Sequence, residues 1–383
     1  MSRQDCIYAD NAATTRLDPA ALDAMLPFLR DSYANPSSLY SFSRSARRAL
    51  HESREIVAEC IGAKSEEIIF TSGGSESNNW AIKNFVFTTS QKKRRILTSS
   101  IEHHAILNSC AEGAQLFKCL IDYVSVNERG IIDLDDYQKK LSETVSGISI
   151  MLANNEVGTI EDVKTLAAMA HDYNIPFHTD AVQAIGHIPV DVRDLGVEML
   201  SASAHKFNGP KGIGFLFVKE KTPLVNFING GKQEFSKRAG TENVAAIVGM
   251  ATALKNNCNA IHKTAQMLQQ MEQRFKEIVS TSICDVIFNG DSENHLPGLI
   301  SLSIPKCSSE SLLHILDLKG IMVSTGAACN SQDVEVSHVL KAMKCSKDLG
   351  KGTLRVSFGK YNTIEDAENL AKILIHCVQK IKK

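Results

Sequence analysis

The sequence predicts an α/β protein: a mainly parallel sheet with helices on both faces, joined to a smaller α+β unit. Three observations carry that expectation. A short apolar strand, a polar or glycine-containing turn and an amphipathic helix recur up to about Ala202, the alternation that builds a parallel sheet. From about Asn243 the texture changes to long amphipathic helices with no strand between them. The residues best suited to chemistry fall just after the expected strands, where open α/β sheets gather their ligands.

In chain order, Cys6-Ile-Tyr-Ala9 reads as a first strand. Glu67-Ile-Ile-Phe-Thr71 runs into Ser72-Gly-Gly-Ser-Glu76 and a helix over Ser77-Asn-Asn-Trp-Ala-Ile-Lys83. Arg95-Ile-Leu-Thr98 precedes a helix opening at Ile101-Glu-His-His-Ala-Ile-Leu107. Gly147-Ile-Ser-Ile-Met-Leu152 ends at Asn154-Asn-Glu156, and Val163 to Tyr173 has helical spacing. Strands follow at Ile175 to Asp180 and Glu198 to Ala202. Val244 to Leu254 and Ile261 to Ile278 then read as helices. Leu299 to Ile304, Ile321 to Ser324 and Thr353 to Phe358 read as strands of the second unit, closed by a helix over Thr363 to Ile381. The expected division is a large domain over 16–259 and a small one made of 1–15 and 260–383. No internal repeat interrupts this plan.

A chain of 383 residues suffices for two units with their own cores. Its 42 basic and 43 acidic residues nearly cancel, which argues against a nucleic-acid or anionic-membrane partner. The run Lys92-Lys-Arg-Arg95 reads as a solvated turn. Ten cysteines show no C-x-x-C spacing and no zinc-type cluster with histidine. Reduced thiols are expected, and with no apolar signal region or spanning run the expected location is cytoplasmic.

The chemistry centres on Ser201-Ala-Ser-Ala-His-Lys-Phe-Asn-Gly-Pro-Lys-Gly-Ile-Gly214, where Lys206 sits between an apolar strand and a glycine-rich turn. Upstream, Ile175-Pro-Phe-His-Thr-Asp180 is a strand that ends in an acid. A lysine and an aspartate at strand ends suit pyridoxal 5'-phosphate: the lysine forms a Schiff base with its aldehyde, and the acid keeps the ring nitrogen protonated. Ser72-Gly-Gly-Ser-Glu76 opens a helix and can hold a phosphate, with Ser203 and His205 as further donors. Each residue also has a plainer reading. Asp180 would serve as a helix N-cap, His103 or His104 as a polar first-turn residue, and Lys206 as a loop lysine. Lys211, after Pro210, is placed for solvent or a phosphate.

Two later residues narrow the reaction. Cys329 lies in Ser324-Thr-Gly-Ala-Ala-Cys-Asn-Ser-Gln332, a small, polar stretch without apolar anchors, where a thiol is a candidate nucleophile. Cys60, Cys110, Cys258 and Cys377 instead fall within helical patterns and read as packing residues. Arg355 interrupts the apolar strand Leu354-Arg-Val-Ser-Phe-Gly359, and a substrate carboxylate is a suitable partner for such a charge.

These pieces resemble the class V aminotransferase group, and within it the NifS/IscS-type cysteine desulfurases. The matching stretches are Tyr8-Ala-Asp-Asn-Ala-Ala-Thr-Thr15, Asn35-Pro-Ser-Ser38, Thr71-Ser-Gly-Gly-Ser-Glu-Ser-Asn-Asn79, Glu102-His103, Asn154-Asn-Glu-Val-Gly158 and His178-Thr-Asp-Ala-Val-Gln183. They continue through Ser203-Ala-His-Lys-Phe-Asn-Gly-Pro-Lys-Gly212, Arg238-Ala-Gly-Thr-Glu-Asn243, Ser324-Thr-Gly-Ala-Ala-Cys329 and Arg355-Val-Ser357, in the family's order over essentially the whole chain.

The resemblance implies a fold type I pyridoxal-phosphate-dependent transferase with a seven-stranded sheet, acting as a homodimer on L-cysteine. By that resemblance Lys206 binds the cofactor, Asp180 pairs with the pyridine nitrogen, Gln183 with the ring hydroxyl, and His103 stacks on the ring. Gly74, Ser75, Ser203 and His205 cup the phosphate, and Thr241 reaches the phosphate in the neighbouring subunit. Asn155 and Arg355 grip the substrate carboxylate, with Asn11 close by. Cys329 takes the sulfur as a persulfide for a sulfur-acceptor protein, on a loop of the long NifS/IscS kind. Iron–sulfur cluster assembly, tRNA thiolation and DNA sulfur modification are all open as destinations. The chain departs from the usual pattern at Ser75 for threonine, Tyr40 for histidine, Ser43 for glycine, Lys232 in a glycine-rich stretch, and Ala327 for serine. None of these removes a catalytic group. A selenocysteine lyase, a small-substrate aminotransferase and a non-catalytic scaffold are the competing readings.

Overall fold

The computed structural model describes residues 6–88, 94–325 and 336–382. Its strands are β1 (Ile7–Tyr8), β2 (Ile68–Thr71), β3 (Arg95–Ser99), β4 (Leu120–Val124), β5 (Val145–Ser149), β6 (Phe177–Asp180), β7 (Met199–Ser203), β8 (Gly214–Val218), β9 (Ile287–Asn289), β10 (Leu299–Ser303), β11 (Ile321–Met322) and β12 (Thr353–Ser357). Its helices are α1 (Pro19–Arg30), α2 (Arg44–Cys60), α3 (Gly74–Phe87), α4 (His104–Phe117), α5 (Leu134–Lys140), α6 (Val163–His171), α7 (Val192–Leu195), α8 (Gln233–Ser236), α9 (Val244–Ser282), α10 (Ser309–Leu318), α11 (His338–Ala342), α12 (Lys347–Lys351) and α13 (Ile364–Ile381).

Seven strands form the main sheet in the order β2-β8-β7-β6-β5-β3-β4. β4, β3, β5, β6 and β7 pair in parallel, and β8 runs antiparallel to both β7 and β2. β2, β5, β6, β7 and β8 are buried along their whole length, as expected for strands covered on both faces. The edge strand β4 instead leaves Leu120 and Tyr123 exposed. A second, antiparallel sheet has the order β12-β10-β9, and β1 pairs in parallel with β11. The expected α/β sheet and smaller α+β unit are therefore present, with β4, β8 and β9 added to the strands read from the sequence.

α9 is one continuous helix of 39 residues, where the sequence suggested two. Its first half packs Ala246, Ile247, Met250 and Leu254 into the core of the main sheet. Its second half packs Leu268, Met271, Phe275 and Val279 into the core of the small sheet. The side the helix serves thus changes between Leu254 and Leu268. Ala9 packs with the small core and Ala12 with the large one, so the N-terminal arm crosses between them. That crossing lays residues 10–14 over the ends of β6 and β7.

α3 fixes the loop that follows β2. Its Trp80 is fully buried, donates its indole N–H to the Val225 carbonyl at 2.8 Å and stacks on Phe227. At Ser43, where the resembled family commonly has glycine, the buried hydroxyl donates to the Ser38 and Tyr40 carbonyls and closes that turn. Tyr40 and Lys232 are exposed.

Candidate active site

The ends of β2, β6 and β7 open into one cavity of about 590 Å³, lined among others by Gly74, Ser75, His103, Asn155, Asp180 and Lys206. Gln183, Ser203, His205 and Arg355 also line it, with the exposed Lys211 at its rim. Ten of the sequence-nominated residues are brought together. Asn11, Thr241 and Cys329 are the other three. The Asn11 amide is turned into the protein, donating to the Ser357 carbonyl at 2.9 Å, and does not line the cavity. Thr241 is exposed and also outside the lining. Cys329 lies outside the described residues, as do Ala327 and part of the Lys92–Arg95 run.

Lys206 ends a short 3-10 turn after β7. Its Nζ donates to the Ala12 and Ala13 carbonyls at 2.5 and 2.9 Å. Burial, with the Arg355 charge adding to it, lowers its pKa to about 8 against the opposing pull of Asp180 and Asp10. Asp180, the last residue of β6, does cap the turn that follows: its Oδ1 accepts from Val182 N at 3.0 Å. Its other oxygen, Oδ2, accepts from the Asn78 amide at 2.6 Å. The capping and functional readings of Asp180 are thus compatible, because each uses a different oxygen. Gln183 donates to the Ala12 carbonyl at 2.8 Å, tying the same arm down.

His103 likewise serves two ends. It is the N-cap of α4, with Nδ1 accepting from Ala105 N at 3.1 Å. That contact places the proton of the neutral imidazole on Nε2. Burial, helped by Lys206 and His104, holds the ring below its ordinary pKa, so the neutral form dominates at pH 7. His205 is lowered further, to about 4, by burial and the two lysines beside it. It is a neutral hydrogen-bonding group there.

The loop after β2 has the geometry of an anion cradle. Gly73 has φ +149° and ψ −177°, a region open only to glycine. A Cβ on Gly74 would meet Val182 Cγ2 at 2.5 Å, so the backbone at the helix N-terminus stays bare to the cavity. The first N–H groups of α3 and its dipole face that space. Glu76 holds the loop: it accepts from Ser72 N at 2.8 Å and takes both Nε and Nη2 of Arg238, at 3.0 and 3.2 Å. Burial pushes the Glu76 carboxyl up, but these bonds outweigh it and keep the group ionised. The Arg238 segment is itself fixed through Glu234, whose carboxylate takes two 2.7 Å bonds from buried Arg54 and one from Phe70 N.

Opposite the cradle, Arg355 on β12 is buried. Its Nη1 donates to the Asn155 carbonyl at 2.9 Å and Nη2 to Asp10 Oδ1 at 2.8 Å, while Nε–H is buried with no partner among the described residues. The charge thus has an internal counter-ion, Asp10, that the sequence reading lacked, and still keeps one donor free. Ser324 bridges Arg355 with two backbone bonds. On the far side of residues 326–335, Ser337 donates to Glu156 and His338 Nε2 to the Glu102 carbonyl. Both flanks of the segment carrying Cys329 are therefore pinned to cavity-lining Arg355 or to the immediate neighbours of cavity-lining Asn155 and His103.

Asn78, the Glu76–Arg238 pair, Asp10 and His338 are the contributors that sequence reasoning did not single out. Asp10, Glu76, Asn78 and Arg238 all stood inside quoted motifs, and for Glu76 and Asn78 their helical spacing after a glycine turn was a further signal.

A conserved-family profile, aminotransferase class-V, matches residues 7–370, and the chain belongs to that family. The Dictyoglomus turgidum protein named cysteine desulfurase IscS is 46% identical over 377 residues, covering 98% of this chain and 95% of its own. A Methanosarcina thermophila protein of the same name is 40% identical over 98% of this chain and 93% of its own. Among solved structures, a NifS-like protein superposes with a TM-score of 0.93 at 34% identity, covering 98% of this chain and 100% of that one. SspA in complex with cysteine gives a TM-score of 0.82 at 33% identity, over 93% of this chain and 100% of that one. Within the class-V family, the chain is thus a cysteine desulfurase of the NifS/IscS type.

Proposed function

We propose that this protein uses pyridoxal 5'-phosphate to convert L-cysteine to L-alanine, passing the sulfur to Cys329 and on to an acceptor protein. The observation that carries the cofactor assignment is the set of groups around one cavity: a half-buried lysine of lowered pKa, an ionisable carboxylate tethered by Asn78, and a bare helix N-terminus. Lys206 would hold the aldehyde carbon, Asp180 the ring nitrogen, and Gly74, Ser75, Ser203 and His205 the phosphate. Asn78 Oδ1, buried and without a partner among the described residues, fits beside a bound polar group better than an empty wall.

Bound there, the cofactor supplies an electron sink next to the substrate Cα. Arg355 Nε–H and Asn155 hold the substrate carboxylate and so aim the Cα proton at Lys206 Nζ, which removes it. Asp180 keeps a proton on the ring nitrogen. His103 Nε2–H, the proton-bearing nitrogen of the neutral ring, donates toward the substrate sulfur. Cys329 Sγ attacks the substrate sulfur. The new S–S bond forms as Cβ–S breaks; the electron pair of the broken bond stays with the substrate carbon, whose Cβ takes up a proton, leaving a persulfide on Cys329 and alanine as product.

Replacing Cys329 with serine should leave cofactor uptake intact while sulfide release from cysteine under reductant falls to background. Full release from the C329S protein would refute the nucleophile. Sulfide and selenide release compared on the two amino acids decides the selenocysteine alternative.

The homodimer has two supports. Leu22, Leu26 and Leu29 form an exposed stripe on α1, continued by exposed Tyr33, Leu39, Tyr40 and Phe42, an apolar patch of the kind that marks an interface. Thr241 lies outside its own cavity, as a residue serving a neighbour would. Sedimentation should therefore give twice the chain mass of 41.9 kDa; a monomer at assay concentration would remove Thr241 from the site.

Asn78→Ala should weaken cofactor affinity roughly ten- to a hundredfold, by loss of a hydrogen bond to a charged group of about 1.5–3 kcal/mol. An unchanged dissociation constant for pyridoxal phosphate would show that Asp180 needs no tether. The described cysteines are all unpaired, which supports a reducing, cytoplasmic location, and no described helix is long and apolar enough to cross a membrane.

A further inference from the structure

A second cavity of about 410 Å³ lies between the C-terminal end of α2 and the middle of α9, bounded by Ile185, Gly186, Asp191, Leu254 and Ile261. Cys60 and Cys258 both line it. Each is half-exposed, unlike Cys110 and Cys377, which are buried as their helical pattern suggested. The sequence placed all four in one packing class, and the structure separates them. The two thiols face one another across the α2–α9 contact closely enough to share a hydrogen bond.

Cys60 is the last residue of α2, and the chain leaves the helix through Ile61 and Gly62, the latter at φ +69°. Cys258 sits on a rigid helix, with the exposed His262 one turn further along the same cavity wall. Two thiols facing one another at a single cavity, both partly exposed, are the arrangement that disulfide formation needs. The hydrogen bond from Cys60 favours the Cys258 thiolate and lowers its pKa, and it raises that of Cys60. Cys258 is then the better attacking sulfur and Cys60 the resolving one.

We propose that Cys60 and Cys258 form a redox-active dithiol, a modification site that small-molecule disulfides close reversibly. The Cys258 thiolate attacks a small disulfide, forming a mixed disulfide and releasing one thiol. Cys60 then attacks the Cys258 sulfur, forming the intramolecular bond and releasing the second thiol. Both protein thiols are oxidised and lose their protons, and the small disulfide is reduced to two thiols. Neither cysteine lines the Lys206 cavity, so the site goes beyond the desulfurase reading and does not depend on it. It does adjoin that cavity's support. Asn257, next to Cys258, donates to the Phe207 carbonyl at 3.1 Å, and His187, next to Gly186, contacts the Lys206 carbonyl at 2.8 Å.

The test uses the full chain loaded with cofactor and carrying Cys329→Ser, so that the reactive thiol does not exchange. It is treated with oxidised glutathione and mapped by peptide mass spectrometry without reduction. The expected result is a Cys60 peptide joined to a Cys258 peptide, two hydrogens lighter than their sum and released by dithiothreitol. In C60S and C258S proteins the cross-link should vanish and the remaining thiol of the pair should carry a glutathione adduct. Separate glutathione adducts on both cysteines of the unsubstituted pair, or two thiols still alkylatable after treatment, would overturn the proposal.

Discussion

Lys206→Ala should abolish the absorbance of lysine-bound cofactor and lower turnover of cysteine by at least about 10³-fold, the scale at which a covalent anchor and a positioned base contribute together. The basis is the environment of the amine. With a pKa near 8 rather than 10.5, roughly one amine in ten is neutral at pH 7, against roughly one in three thousand for an unperturbed lysine. The same shift gives a second readout that needs no cofactor. In the cofactor-free protein the folded state binds fewer protons than the unfolded state between about pH 8 and 10.5. Stability attributable to Lys206 therefore rises with pH across that window, by roughly 3 kcal/mol in total. Denaturant titrations at its two ends should show the slope in the native chain and lose it in K206A. An unchanged spectrum in the holoprotein would end the Schiff-base assignment; an unchanged slope would end the claim that burial tunes the amine.

Lys206 and Asp180 were legible because local sequence fixes them. Each follows a short apolar strand, and β6 and β7 are parallel neighbours, so their ends meet without any long-range information. The glycine turn before α3 is legible for the same reason. What the sequence withheld is contact between distant segments. Asn78 meets Asp180 across 102 positions, Arg238 meets Glu76 across 162, and Arg355 meets Asp10 across 345. No periodicity encodes those pairings. α9 was read as two helices because Asn256-Asn257-Cys258-Asn259 is a poor helical stretch on propensity alone. Tertiary contacts override that preference: Asn257 is buried, bonding Phe207, Asn208 and Lys360 with its side chain. β4 escaped notice because its exposed edge gives it no continuous apolar run.

Arg355→Lys should raise KM for cysteine by roughly 10²-fold with a smaller change in kcat, on the scale of one or two hydrogen bonds to a charged group. Arg355 holds the Asn155 carbonyl and Asp10 with its two terminal nitrogens and leaves Nε–H buried with no partner among the described residues. A guanidinium makes those contacts from one rigid fork, whereas an ammonium on a flexible stem cannot satisfy Asp10, the Asn155 carbonyl and a substrate carboxylate together. The lysine variant keeps the charge and so separates geometry from electrostatics. Arg355→Ala removes both, and it also leaves the Asp10 carboxylate, sheltered at the cavity's edge, without its counter-ion. That variant should lose stability as well as affinity, since removing one partner of a buried pair costs more than the pair contributes. Asp10→Asn provides the discriminating control. If Asp10 only orients the guanidinium, D10N should raise KM modestly and leave the fold intact. If instead Asp10 competes with the substrate carboxylate for Arg355, D10N should lower KM. A KM that stays at its original value in R355K would show that the substrate carboxylate is held elsewhere.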